Sequence, residues 1–126
     1  MAIRRVEGIV KRSGLRTLCV EQCFPSGRYV HTTTDIAATG TAAVPLNTWT
    51  HLALTFDGGN ERLYVNGTLV RTAAVSGAME SAYGALRIGG NAVWGEYFRG
   101  LIDEVRIYNR PLAPSEIQAD MGTAIQ

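Results

Sequence analysis

The chain has little cysteine, little excess charge of either sign and no long apolar run. It has 126 residues and 2 cysteines, so cysteine usage does not identify a compartment. No segment approaches the roughly 20 apolar residues of a membrane span, and residues 1–5 are not followed by the apolar run of a signal peptide. With 46% hydrophobic residues the chain can bury an ordinary core, which predicts one soluble domain over residues 1–126 with no membrane partner.

The cysteines indicate neither a certain disulfide nor a metal site. On one regular strand the Cα atoms of Cys19 and Cys23 would lie about 13 Å apart, beyond disulfide reach. We therefore favour two buried free thiols, and a bulge at Glu21-Gln22 that would allow a bridge is the alternative. His31 and His51 show no metal-ligand spacing with either cysteine.

Charge is nearly balanced, with a formal net charge of +1 at pH 7. Basic residues crowd the N-terminal part of the chain, and the others are scattered among acids. Nucleic-acid binding would need a basic face with interleaved aromatic residues, so we expect a solvated basic end and no nucleic-acid partner. The crowded basic residues are Arg4, Arg5, Lys11, Arg12 and Arg16.

The stretch from Trp49 to Val70, WTHLALTFDGGNERLYVNGTLV, organises the rest of the chain. A two-residue period of Thr50, Leu52, Leu54 and Phe56 predicts a strand with that face buried. The residues Asp57-Gly58-Gly59-Asn60 then tolerate positive φ and predict a reversal of the chain, with Asp57 as a turn former.

Asn66-Gly67 is the pair that best fits a two-residue hairpin turn between strands around Leu63–Val65 and Thr68–Thr72. The turn would be of type I′, with positive φ at both central residues. Asn66-Gly67-Thr68 also matches the glycosylation pattern, and without a signal peptide we expect Asn66 to be unmodified.

Turn signals divide the remaining chain into short strands and one terminal helix, which predicts an antiparallel sandwich. The helix should begin near Pro114, which suits a first helical position, and should run to about Met121 with Gly122 as its stop. Residues 35–45 read as a weak edge strand or loop, and residues 90–95 as a loop. The other predicted strands cover residues 7–11, 17–23, 28–34, 85–89 and 97–108.

A set of motifs in this order resembles one family. LNTWTHLALTFDGGNERLYVNGTLV, LRIGG and GEYFRGLIDEVRIYNRPLAPSEI are similar to the C-terminal two thirds of a laminin G-like (concanavalin A-like) domain. The resemblance implies an all-β, antiparallel two-sheet jelly-roll sandwich with one short C-terminal helix. It also implies that His51 is a framework histidine, and it suggests an extracellular location.

The same resemblance implies that the family's first strands are missing, because no Phe-Asp-Gly or Glu-Ala-Trp motif precedes these strands. A shortened sandwich would leave apolar faces and an open sheet edge. We therefore expect a homodimer, joined edge to edge or by exchanged N-terminal strands. The faces that need cover include Leu52, Leu54, Phe56, Leu101, Val105 and Ile107.

The acidic residues do not predict an enzyme. Retaining glycoside hydrolysis needs two carboxyl groups about 5.5 Å apart. Asp103 and Glu104 are adjacent, so a regular strand would point them to opposite faces, and Asp103 is expected to accept backbone amides near a bend instead. No Ser, His and Asp arrangement for nucleophilic catalysis is recognisable. The remaining acids fall in different elements: Glu61, Glu80, Glu96 and Glu116.

The resemblance directs attention to the loop rim, where relatives bind sugars, peptides or calcium. In a sugar site Trp94 would stack on the ring while Asn91 and Glu96 supply hydrogen bonds. For Trp94 itself, packing over the sandwich edge is the favoured interpretation. Two oxygen-bearing side chains make a weak calcium site, even if Asp57 and Asp103 contribute, so no cofactor is predicted. We expect a non-catalytic module for a carbohydrate or protein ligand. The alternatives are a self-assembling structural fragment without a ligand and a glycoside hydrolase.

Overall fold

A computed structural model of the chain describes residues 2–10, 26–31, 34–45, 47–74, 88, 90–91 and 96–124. Within these residues the chain forms eight strands and one helix. They are β1 (Ala2–Val10), β2 (Ser26–His31), β3 (Thr34–Thr39), β4 (Thr50–Phe56), β5 (Asn60–Val65), β6 (Thr68–Ala74), β7 (Gly90–Asn91), β8 (Glu96–Arg106) and α1 (Pro114–Gly122).

The strands form a six-stranded antiparallel sheet in the order β6-β5-β4-β1-β8-β7 and a separate two-stranded hairpin, β2-β3. β1 lies between β4 and β8, so it joins the central hairpins to the C-terminal strand. The predicted antiparallel β-structure with one C-terminal helix is confirmed. The β2-β3 hairpin is a second, separate sheet. The packing of two sheets into a sandwich stays a prediction.

Several predicted element limits were wrong in the N-terminal part. β1 spans Ala2–Val10 rather than residues 7–11, and β2 ends at His31 rather than at residue 34. Residues 34–39 form a full strand, paired with β2 from Ser26↔Thr39 to His31↔Thr34. Its small side chains hid it from hydrophobic periodicity, because Ala38 is fully buried without being large. The predicted strand over residues 17–23, with both cysteines, lies outside the described residues.

Both sides of β4 are covered, which the sequence pattern did not predict. His51, Ala53 and Thr55 are buried. On the face that was expected to be buried, only Thr50 is buried, and Leu52, Leu54 and Phe56 are half-buried. Strand alternation places these two sets on opposite sides of the sheet. We call them the helix side, which contains Ala53, and the hairpin side, which contains Leu54.

The helix side carries a small core. Ala53 and Tyr64 are direct cross-strand partners on β4 and β5, and they pack with Leu112 and Ile117 of the C-terminal segment. Ile117 is fully buried, and Tyr108 packs against the same cluster. The helix begins at Pro114 as predicted. Thr123 caps the C-terminal end of the helix, where its hydroxyl donates to the Ala119 carbonyl at 2.9 Å.

Asp120 fastens the helix to the end of β8. Arg106 Nη1 donates to Asp120 Oδ1 at 2.5 Å, and the Tyr108 hydroxyl donates to Asp120 Oδ2 at 2.5 Å. Arg106 Nη2 also donates to the Thr123 carbonyl at 2.7 Å. The hydrogen bond to Asp120 raises the pKa of Tyr108, because only the protonated phenol can donate it. The helix is therefore held by apolar packing at Ile117 and by charge at Asp120.

On the hairpin side, Leu63 and Glu61 are buried. They alternate with Tyr64 and Arg62, so they point away from the helix. β3 approaches β5 and β6 without pairing with either. The β2-β3 hairpin therefore lies near the β5-β6 end of the sheet.

The predicted hairpin turn is confirmed. Asn66 has φ 49° and Gly67 has φ 74°, and the flanking residues Val65 and Thr68 are direct partners. Asn66 also contacts β4 twice: its backbone N–H donates to the His51 carbonyl at 2.9 Å, and its Oδ1 accepts from the His51 backbone N–H at 2.9 Å. The turn therefore fixes the start of β4 as well as the β5-β6 hairpin.

We expect Gly67→Val to lower the free energy of unfolding by more than about 1 kcal/mol, since a branched residue is strained at positive φ. A Cβ atom at Gly67 would also lie 3.1 Å from Gln118 Cγ on the helix. Denaturant unfolding of Gly67→Val and Gly67→Ala measures the effect.

Two glycines provide matched controls. Gly58 has φ 91° and open space around its Cβ direction, so Gly58→Ala reports strain without a clash. Gly122 has open space and no positive φ, so Gly122→Ala should not destabilise. Equal stability of Gly67→Val and the unsubstituted protein would contradict the observed turn.

Candidate functional site

The predicted rim lies at the end of the β7-β8 hairpin. Asn91 and Glu96 are direct Cα partners, and Gly90 pairs with Tyr97 behind them. Directly opposed residues of an antiparallel pair have Cα atoms about 4.5–5.5 Å apart. The fold therefore brings together two of the three predicted site residues, whereas Trp94 falls in the connection 92–95, outside the described residues.

Two details of the predicted rim were wrong. Gly90 and Asn91 belong to strand β7 rather than to a loop, because they pair with the start of β8. Ile88, the one described residue of the predicted strand 85–89, lies in a bend. The prediction of a long strand over residues 97–108 agrees with β8, which starts at Glu96 and ends at Arg106.

Asp57 holds the turn between β4 and β5, as predicted. Its Oδ1 accepts the backbone N–H groups of Gly59 at 2.9 Å and Asn60 at 2.7 Å, and its Oδ2 accepts from Arg62 Nη1 at 2.5 Å. The Arg62 hydrogen bond, followed by the two backbone donors, lowers the pKa of Asp57 to about 2. Both oxygens of this carboxylate thus have structural partners.

Asp103 is a backbone acceptor near a bend, which confirms its predicted role. Its Oδ1 accepts the Glu104 backbone N–H at 2.8 Å, and Glu104 has φ 55°. The strand is therefore not regular at this point, contrary to the geometry assumed for the adjacent carboxylates. Glu104 Oε2 lies 3.9 Å from Arg106 Nη2, so its charge is turned toward the group that binds Asp120.

Glu116 stabilises the beginning of the helix. Its Oε2 accepts the Ala113 backbone N–H at 2.8 Å, and its two oxygens accept from Arg110 Nη1 at 2.9 Å and Nη2 at 2.7 Å. The bidentate Arg110 contact, followed by the Ala113 donor, lowers the pKa of Glu116 to about 2. An acid in the first helical turn is also favoured by the helix dipole.

His51 lies within the framework of β4. It is buried on the helix side, and both its backbone N–H and its backbone carbonyl bond to Asn66. This placement supports the framework role that the family resemblance implied. The double contact between His51 and Asn66 was not predicted, although the Asn-Gly pair marked the turn that makes it.

No three or more histidine, cysteine, aspartate or glutamate side chains cluster as metal ligands within the described part of the chain. Among the described residues, no helix is long and apolar enough to cross a membrane.

Comparison with known protein families gives a match to the family described as the concanavalin A-like lectin/glucanases superfamily, over residues 23–118. The chain belongs to this concanavalin A-like superfamily. The matched range includes β2 to β8 and most of α1, as well as all three predicted rim residues. Searches of curated proteins and of solved structures found no significant match.

In this concanavalin A-like chain, the carboxylates of Asp57 and Glu116 should make stability depend on acid pH. Each has a pKa of about 2 in the folded state, below the ordinary values of 3.8 and 4.5. Their contribution is present above the ordinary pKa and is lost as pH falls through the folded pKa. We expect the melting temperature to drop between about pH 4.5 and pH 2.

The variants Asp57→Asn and Glu116→Gln separate these contributions. Each should lower the melting temperature at pH 6 and flatten its decline in acid, and the double variant should flatten it further. Melting curves recorded from pH 2 to pH 6 provide the measurement. A double variant with the same acid dependence as the unsubstituted protein would show that other groups cause the decline.

Proposed function

We propose that this domain is a non-catalytic binding module whose carbohydrate or protein ligand contacts the rim formed by Asn91, Trp94 and Glu96. The observation that carries the proposal is the direct pairing of Asn91 with Glu96. This pairing joins an amide residue and a carboxylate residue at one end of the sheet, and the connection between them contains a tryptophan.

The residue types at this rim suit a sugar ring. An indole presents an apolar face to the C–H groups of the ring, while amide and carboxylate groups bind its hydroxyls. Loops held at the end of a rigid sheet are also where binding residues commonly lie. The four-residue connection is short, so ligand contacts would be confined to a small area beside β7 and β8.

The partners of four described carboxylates favour a binding role over hydrolysis. Retaining and inverting glycosidases both need a pair of carboxyl groups across the scissile bond. Asp57, Asp103, Glu116 and Asp120 instead accept hydrogen bonds within a turn, a bend, a helix start and a helix contact. Carboxylates with these partners maintain the fold, and a catalytic pair would have to be built from other residues.

Calcium is an optional part of this proposal. Asn91 and Glu96 bring two oxygen-bearing side chains, whereas a calcium site uses six to eight oxygen ligands. Asp57, considered as a further ligand from the sequence, has its oxygens directed to the turn and to Arg62. Binding measured with and without calcium therefore distinguishes a metal-dependent rim from a metal-free one.

We expect Trp94→Ala to abolish sugar binding and to change the melting temperature little, since an indole that stacks on a ligand would contribute little to the core. A glycan array screened with calcium and with chelator identifies the ligand. The chain contains two tryptophans, so Trp49→Phe leaves Trp94 as the single indole. Fluorescence titration of that variant then reports directly on the rim.

Trp49→Ala is the matched control, because Trp49 is partly exposed at the start of β4, away from β7 and β8. It should leave binding unchanged. Asn91→Ala and Glu96→Ala should each weaken binding. If Trp94→Ala lowers the melting temperature strongly and no array ligand is found, Trp94 packs on the sandwich and the rim proposal is wrong.

A further inference from the structure

The Asn66-Gly67 turn contains a chemically reactive pair of residues. Asn66 is the one asparagine of the chain that precedes a glycine. Because glycine has no side chain, its backbone nitrogen can attack the side-chain amide of the residue before it. The Gly67 nitrogen, after losing its proton to hydroxide, bonds to Asn66 Cγ, and the Cγ–Nδ2 bond breaks to release ammonia. Water then opens the resulting succinimide ring to give aspartate or isoaspartate, with no oxidation or reduction.

The folded turn holds these atoms away from the geometry that closes the ring. Ring closure requires the Asn66 Cβ to lie on the same side of the Cα–C bond as the Gly67 nitrogen. The first central residue of a type I′ turn has a ψ of about 30°, which directs Cβ away from that nitrogen. The φ values of 49° for Asn66 and 74° for Gly67 belong to this turn. The reaction therefore needs the peptide between the two residues to rotate out of the turn.

Hydrogen bonds to β4 oppose that rotation. Asn66 Oδ1 accepts the His51 backbone N–H at 2.9 Å, and the Asn66 backbone N–H donates to the His51 carbonyl at 2.9 Å. The first contact fixes the carboxamide that must move, and the second fixes the backbone before it. The pairing of Val65 with Thr68 holds the turn at its two ends. Rotation of the peptide would disturb these contacts together.

Helix α1 covers the residue whose nitrogen attacks. Gly67 is buried, although Asn66 is exposed. A Cβ atom at Gly67 would lie 3.1 Å from Gln118 Cγ and 3.9 Å from Met121 Sδ, so the helix leaves little room on that side. Ile117, which is fully buried in the core of the helix side, keeps the helix in this position. Access of hydroxide to the Gly67 amide is therefore restricted while the helix is packed on the sheet.

We propose that Asn66 is a conditional modification site, which resists conversion in the folded hairpin and becomes reactive when the turn opens. The two products differ in their effect on the fold. An aspartate side chain can still accept the His51 N–H, whereas isoaspartate adds one carbon atom to the main chain and cannot keep Val65 opposite Thr68. Formation of isoaspartate therefore makes an opening of the hairpin irreversible.

Peptide mass spectrometry of the full chain measures the conversion after incubation at about pH 8 with and without guanidinium chloride. We expect conversion at Asn66 to be at least ten-fold slower in the folded protein, because only the opened fraction reacts. Asn109 is the internal control, because it is exposed and the side chain of Arg110 hinders attack, so it should convert slowly in both states. Equal rates at Asn66 in the two states, or no conversion in denaturant, would overturn the proposal.

Ile117→Ala tests the part played by the helix. It leaves the Asn-Gly pair intact and weakens the packing of α1, so the folded variant should convert several-fold faster than the unsubstituted protein. Ser115→Ala, at an exposed position of the same helix, is the matched control and should not change the rate. A folded, less stable Ile117→Ala protein with an unchanged rate would contradict the proposal. Should that variant not fold, it should convert as fast as the denatured chain, and a rate as slow as that of the folded protein would contradict the proposal equally.

The products themselves test the irreversible step. Asn66→Asp should melt close to the unsubstituted protein, because aspartate tolerates a left-handed conformation and its carboxylate can accept the His51 N–H. The isoaspartate form, separated by ion exchange through its added negative charge, should melt at a clearly lower temperature. An isoaspartate form as stable as Asn66→Asp would show that the turn closes again after modification, and the irreversible step would be wrong.

Discussion

The turn at Asn66-Gly67 is the constraint on which the rest of the structure depends. Positive φ at both residues joins β5 to β6 in register. The same asparagine bonds twice to the His51 backbone, so the hairpin is also tied to the start of β4. Gly67 lies close to Gln118, which lets the helix approach the sheet. Local turn chemistry thus determines where three strands and the helix meet.

The two sides of the sheet are stabilised by different contacts. On the helix side, Ile117 packs on Ala53 and Tyr64, and Asp120 binds Arg106 and Tyr108. The helix side is therefore closed by packing and charge together. On the hairpin side, Thr50, Glu61 and Leu63 are buried.

Membership of the concanavalin A-like superfamily agrees with this arrangement but does not by itself assign a ligand, because one fold supports many functions. The local chemistry is more informative. The carboxylates of Asp57 and Glu116 are held by arginines and backbone amides, which keeps them charged and occupied. Carboxylates with such partners maintain the fold, and the Asn91–Glu96 strand pair marks the end of the sheet to which the binding proposal applies.

The sequence by itself determined the features that depend on neighbouring residues: the Asn66-Gly67 turn, the Asp57 turn, the helix from Pro114 and the bend acceptor Asp103. Their chemistry is complete within a few positions of the chain. Only the tertiary structure decided the strand character of residues 34–39, the covering of both sides of β4 and the insertion of β1 between β4 and β8. It also decided that Asn91 and Glu96 are direct strand partners and that Leu101, Val105 and Ile107 are exposed. These outcomes depend on which distant strands pair and what lies above each face, and hydrophobic periodicity carries no information about either.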